Sequence, residues 1–264
     1  MTAPVEGTFT NITFLYDNLL KTATITTFSA ARKFPKENIV QKWLTNAYRS
    51  DTLGVDDEWL KADLGSAQAV KAFIVSQHNF DDGCTSKIQG NAADAWGAPT
   101  VDEAITHYGE DYLISYFWST SQTYQWWNWL IDVGDFTSGE TYVKAGLAFL
   151  GDYFRPASNF NRKYVEGRVD QSQKTILEHG NIFSMPSQGY GTWSYTFEGL
   201  SAADVGSFQA MYDVVGSEIP FFIVENQGRW YDKTFYVVFS GELKYQHVAR
   251  EDTYNVEIEV REVQ

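Results

Sequence analysis

Polar and apolar residues alternate with a period of two along much of this chain. In Trp59-Leu60-Lys61-Ala62-Asp63-Leu64-Gly65, alternation puts Trp59, Lys61 and Asp63 on one strand face and Leu60, Ala62 and Leu64 on the other. Gly65 then ends the run and permits a turn before a second strand at 69–77. The aromatic run Tyr124-Gln125-Trp126-Trp127-Asn128-Trp129 splits in the same way. Tyr124, Trp126 and Asn128 share one face, and Trp127, Trp129 and Ile131 the other. One of these faces packs into a core. The second presents aromatics that either stack on sugar rings or bury in a subunit interface, with interface packing the favoured reading.

Between 21 and 156 many short β-branched and aromatic runs are split by Gly, Asp, Asn and Ser, which predicts an antiparallel sandwich. Residues 35–40 predict one helical turn with Pro35 near its start, and 102–105 a second. The apolar stretch 8–15 reads as an N-terminal arm or first strand. Arg155-Pro156 stops the strand before it, so the domain boundary is set at Pro156. Beyond it, 190–197 alternates polar and aromatic residues, a strand with one wet face. Ser201 is a good N-cap, and Asp204 makes an acidic version of the capping box. Val205, Phe208, Met211, Tyr212 and Val215 keep helical spacing, and Gly216 fits the C-cap, so a helix is predicted over 201–215. Strands at 220–224, 234–240 and 254–260 complete a β, α, β, β, β order.

Composition narrows the function classes. The 264 residues exceed what one sandwich needs, so two domains are expected: 1–156, with an N-terminal arm, and 157–264. No apolar run approaches the ~20 residues of a membrane helix. The segment 1–6 lacks a basic region and an apolar stretch, so no secretory signal is read and a soluble chain in a reducing compartment is expected. Cys84 is the sole cysteine and reads as a plain loop thiol. The formal net charge of −14 argues against a protein that tracks nucleic-acid phosphates. It suits solubility, cation binding or docking onto a basic partner.

Catalytic signals are absent. None of the four histidines keeps a short metal spacing to another His or to Cys. His78 lies six residues before Cys84, with Asp81 and Asp82 between them, and an ordinary polar loop is the favoured reading. There is no nucleophile elbow and no phosphate loop. The acidic runs Asp56-Asp57-Glu58, Asp81-Asp82 and Asp102-Glu103 read as solvated loops, and nothing marks out a glycosidase pair. The chain is therefore expected not to be an enzyme. Asn79, Asp81 and Asp82 offer hard oxygens to a structural calcium, against a favoured Asx or Gly turn. No other cofactor is expected. Trp96, in Asp94-Ala95-Trp96-Gly97, supplies a flat loop aromatic, and Asn91 and Asp94 supply polar groups beside it. With Tyr124 and Trp126 these form a candidate carbohydrate-binding set.

Two resemblances add to this reading. The segments 27–29, 35–40, 48–50, 59–65, 125–132 and 144–151 follow, in order, the pattern of the discoidin or coagulation factor 5/8 type C family. That resemblance covers roughly residues 10–156 and implies a galactose-binding-like jelly-roll, in which a loop sometimes holds structural calcium. The chain departs from the pattern at Tyr48, where Trp is usual, and at Gln125 and Asn128, where arginines are usual. With one cysteine it also lacks the customary disulfide. The segments 193–197, 200–212, 216–225 and 256–262 resemble phage tail-tip modules of the distal-tail or baseplate-hub type, over roughly residues 165–264. The whole then resembles a predominantly all-β virion structural protein, a jelly-roll sandwich joined to a β-rich domain with one helix. The resemblance implies a homo-oligomeric ring in a phage tail, made in the host cytoplasm. Its partners would be other tail proteins and host surface polysaccharide, with no nucleic acid and no membrane insertion. A free carbohydrate-binding module and a glycan depolymerase subunit are the alternatives.

Overall fold

The computed structural model describes residues 11–42, 46–51, 58–81, 84–107, 113–132, 141–161, 164–176, 182–185, 189–225, 233–248 and 253–263. Among the described residues the chain is predominantly β, with antiparallel pairing throughout and one α-helix. It divides into two compact units. One holds Asp17–Tyr153, and the other joins Thr10–Tyr16 to Phe154–Gln264. Among the described residues no helix is long and apolar enough to cross a membrane.

The first strand, β1 (Thr13–Leu15), belongs to the second unit. The expected division kept this segment with the sandwich; the structure differs because β1 finds its hydrogen-bond partners elsewhere. It pairs with Phe221–Val224, and Phe14 exchanges two backbone hydrogen bonds with Phe154, at 2.8 and 2.9 Å. The Phe14 ring is fully buried against Phe154, Phe197 and Phe208, with centroids 5.9, 6.3 and 5.5 Å away.

The first unit is a β-sandwich of β2 (Thr24–Thr27), β3 (Tyr48–Arg49), β4 (Glu58–Ser76), β5 (Thr85–Asn91), β6 (Val101–Thr106), β7 (Leu113–Ile131), β8 (Lys144–Ala145) and β9 (Leu147–Gly151). The main sheet runs β2-β4-β7-β5-β6, with β9 added to β4, and β3 pairs with β8. Strands β4 and β7 are 19 residues each and pair along most of their length, with register breaks after Asp63 and Val70. The first break follows from Gly65, whose φ of +75° only glycine adopts without strain. Both halves of the long pair feed one core. Leu60, Ala62, Trp127 and Trp129 come from one half, and Phe73, Val75, Tyr116 and Trp118 from the other. Burial of Trp118, Trp127 and Trp129 dominates that core, each fully buried aromatic contributing about 3 kcal/mol.

Two expectations change here. Residues 102–105 do not form a helical turn; they lie in β6, in register with 86–89 of β5. Burial of Val101 and Ile105 on one face decides this over the local helix signal. Cys84 does sit in a loop, but only 1% of its surface is exposed and it is part of the core. The turn at 35–40 forms as a 3-10 helix, Lys36–Val40, behind Pro35.

The second unit carries β10 (Val165–Val169), β11 (Gln173–Ile176), β12 (Ile182–Met185), β13 (Tyr190–Leu200), α1 (Ala202–Val215), β14 (Phe221–Val224), β15 (Thr234–Phe239), β16 (Lys244–Val248) and β17 (Thr253–Glu262). Its sheet runs β1-β14-β15-β17-β13-β10, with β16 added to β17, while β11 and β12 pair separately. The helix begins as its caps dictate. The Ser201 side chain accepts from the Asp204 backbone, and Asp204 returns the bond to the Ser201 backbone. Val205, Phe208, Met211 and Val215 then bury one helical face against Phe14, Phe197, Phe221 and Phe239.

Candidate functional site

Directly opposed residues of an antiparallel pair share a face. Strand pairing therefore builds two rows across the outer face of the first unit's sheet. One row runs Lys61, Asn128, Gln89, Asp102, and the other Asp63, Trp126, Asn91. In the first row Asn128 Nδ2 donates to Gln89 Oε1 at 2.7 Å, and Gln89 Nε2 donates to Asp102 Oδ1 at 2.9 Å. Trp59 lies on the same face, two residues before Lys61 and opposite Leu130.

The loop between β5 and β6 closes over this face. Asn91 shapes it, donating from Nδ2 to the Ala95 carbonyl at 2.6 Å and accepting at Oδ1 from Ala92 N and Thr100 Oγ1. The loop delivers Asp94 and Trp96 to Lys61. The Trp96 indole N–H donates to Asp94 Oδ1, and Lys61 Nζ lies 3.1 Å from the same oxygen. The ammonium also faces two rings, 4.6 Å from the Trp59 centroid and 5.6 Å from that of Trp96. The Trp96 hydrogen bond, aided by Lys61, holds the Asp94 carboxyl below the usual carboxylate range. The Asp94 side chain is 46% exposed, so the ion pair adds little stability and serves to fix orientation. Trp59, Trp96 and Trp126 all remain partly exposed, and Phe28 flanks Trp59 edge-on at 6.3 Å.

The arrangement presents flat aromatic surface beside a fixed donor and a fixed acceptor whose charges cancel. That chemistry suits stacking and hydrogen bonding to a neutral polyhydroxylated ligand.

Of the five residues expected to form the site, Asp94 and Trp96 come together, and Trp126 lies on the same face. Asn91 is committed to its own loop. Tyr124 does not stand beside Trp126: its ring packs on the core side, edge-on to Trp127 at 6.3 Å. It and Trp127 fill the space beside Gly90, where an added Cβ would meet Trp127 at 3.2 Å and Tyr124 at 3.3 Å. The register break after Asp63 interrupts the alternation that predicted otherwise. Sequence reasoning placed Trp59 and Lys61 on one face but did not join them to Trp96.

Of the calcium candidates, Asn79 is used otherwise. Asn79 is a strut, donating to the Tyr142 carbonyl at 2.8 Å and accepting from Lys144 N at 2.6 Å. The Asp81 carbonyl accepts from Cys84 N in a turn, and Asp82 lies outside the described residues. Among the described residues no three His, Cys, Asp or Glu side chains gather as metal ligands. His78 and His107 pack their rings 5.8 Å apart beside Phe80. Burial, reinforced by His78, lowers His107 to about 3, so it stays neutral and bonds Ser86 Oγ at 2.9 Å.

Glu58, Asp102 and Glu103 also depart from the reading of the acidic runs as solvated loops. Glu58 opens β4 only 1% exposed, accepts from Ser29 Oγ at 2.9 Å, and has its pKa raised by burial. Asp102 and Glu103 are strand residues, and Glu103 accepts from Tyr116 Oη at 2.8 Å. Asp56 and Asp57 lie outside the described residues. A second buried acid, Glu225 of the second unit, accepts from Tyr195 Oη and lies 3.7 Å from Lys233 Nζ. Burial raises its pKa too.

No protein-family model matches the chain, and no curated protein matches it. Solved structures similar to it include chitosan-binding module 1 of a chitosanase/glucanase from Paenibacillus sp. IK-5. The two are 18% identical, over 52% of this chain and 100% of that one, with a TM-score of 0.42. The family 32 CBM from C. perfringens NanJ, in complex with galactose, is 10% identical over 54% of this chain and 99% of that one, with a TM-score of 0.41. The lectin domain of lectinolysin, complexed with Lewis B antigen, is 13% identical over the same shares, also with a TM-score of 0.41.

Proposed function

We propose that the first unit is a carbohydrate-binding module whose contact surface is Trp59, Lys61, Asp94 and Trp96, extended by Trp126. The observation that carries this reading is the Lys61 ammonium held against two indoles and the Asp94 carboxylate, with Trp59, Trp96 and Trp126 partly exposed beside it. The rings are fixed before any ligand arrives, which lowers the ordering cost of binding. Lys61 and Asp94 neutralise each other at the contact, which favours a neutral glycan there over an ionic ligand. Titration with glycans identified on an array is expected to give a Kd between about 1 mM and 1 μM. Trp96→Ala and Trp59→Ala each weaken it at least about tenfold, a loss within the range of one stacked ring. Wild-type affinity in both variants would overturn the assignment.

A wider reading makes the whole chain a virion structural protein of a phage tail tip or baseplate, without catalytic activity. The order β13, α1, β14 and β17 in the second unit favours it, since this is the order in which its segments resemble tail-tip modules. Glycan contact by the first unit would then be contact with a host surface. Mass spectrometry of purified virions tests this: the reading requires the chain in intact tails, and its absence from them sinks the idea.

A further inference from the structure

Strand β10 ends the sheet of the second unit. It pairs with β13 on one side, and among the described residues no strand pairs with its other side. Four of its five residues are exposed, with Val165 at 64% and Val169 at 38%. Edge strands are commonly guarded by shortness, charge, proline, lysine or a bulge. This one is short and carries Glu166 and Arg168, but the two charges are of opposite sign, it has no proline or lysine, and its register with β13 is unbroken.

The sequence of the strand is Val165-Glu166-Gly167-Arg168-Val169. Inverted about Gly167, valine meets valine and glutamate meets arginine. We propose that β10 pairs antiparallel with β10 of a second copy, about a two-fold axis at Gly167, so that the sheet continues across two chains. Val165 then lies opposite the partner's Val169, and Glu166 opposite the partner's Arg168. Each contact occurs twice, as an isologous interface requires. The two-fold falls on Gly167 whichever alternate residues turn their N–H groups outward.

Charge selects this arrangement over its competitors. Parallel pairing in register sets glutamate beside glutamate and arginine beside arginine, which is unfavourable. An antiparallel slip of two residues puts Gly167 opposite a valine and removes both charge pairs. Two copies of a chain with net charge −14 repel at long range, but Glu166 and Arg168 cancel within the strand, so the contact itself carries no net charge. A second copy therefore fits this edge better than a partner of one charge sign. Such a contact makes a pair of chains; a ring needs a further, heterologous contact. The inference does not rest on the glycan reading.

Sedimentation velocity of the full chain across a concentration range tests it. Wild type shows a reversible monomer–dimer equilibrium. Arg168→Glu sets glutamate against glutamate twice, and Glu166→Arg sets arginine against arginine twice. Each variant alone is expected to raise the dimer Kd at least about tenfold while keeping the wild-type circular dichroism spectrum. An equimolar mixture of the two pairs again, as a heterodimer with both charge pairs restored, and the double exchange pairs with itself. A wild type that stays monomeric throughout, single variants with unchanged Kd, or a mixture that fails to pair would each overturn the proposal.

Discussion

His107 shows at the scale of one residue how burial turns a polar group into a pH liability. It is 3% exposed, faces His78 and Ser86, and its pKa is lowered to about 3. An unfolded histidine titrates near 6.5. Between those values the unfolded chain binds the proton and the folded chain does not, so stability falls as pH falls. From pH 7.5 to 5 the loss from this group is about 2 kcal/mol. Chemical unfolding of wild type and His107→Gln at both pH values checks it, with the variant losing that much less on acidification. Glu58 pulls the other way, because burial raises its pKa and the folded state gains from protonating it. The difference between the two proteins isolates the histidine. Lys61 makes a companion point about legibility. Alternation placed it beside Trp59, but Asp94 and Trp96 reach it only through the β5–β6 loop, and a loop path carries no period.

At the scale of elements, α1 was legible almost residue by residue, because its signals are local. Ser201, Asp204 and Gly216 act on backbone groups within one turn of themselves. Ser201→Ala is expected to cost about 1 kcal/mol by loss of the cap. Asp204→Ala should cost about 2 kcal/mol, because Asp204 accepts from Ser201 N and Oγ and also from Ala157 N at 3.2 Å. Urea unfolding measures both; equal costs would mean that the bond to Ala157 adds nothing. Strands were legible as elements wherever one face is dry, as along 58–63 of β4. Strand β16 escaped notice because it is mostly exposed and has no apolar face to announce it. Tyr124 was misplaced because the break in β4–β7 pairing shifts the faces, and a break depends on the partner strand as much as on the strand itself.

At the scale of the whole molecule, Thr13–Leu15 joins the second unit's sheet although 17–153 intervene in sequence. Phe14 is the anchor, and the rings packed on it, Phe154, Phe197 and Phe208, belong to that unit. Phe14→Ala is expected to cost the second unit about 3–5 kcal/mol. Thermal unfolding followed by hydrogen exchange should show its strands losing protection while β4 and β7 keep theirs. Loss from the first unit instead would contradict this placement.

The sequence by itself determined the predominantly β character, the faces of the long strands away from their register break, the helix with its caps, and the division into two β-rich parts. These follow from periodicity and capping, which act over a few residues and need no knowledge of partners. Only the tertiary structure decided that Thr13–Leu15 completes the second sheet, that Tyr124 turns to the core, and that Lys61, Asp94 and Trp96 meet. Each depends on which strands pair and in what register. That choice is made by burying surfaces distant in sequence, where no local pattern reports it.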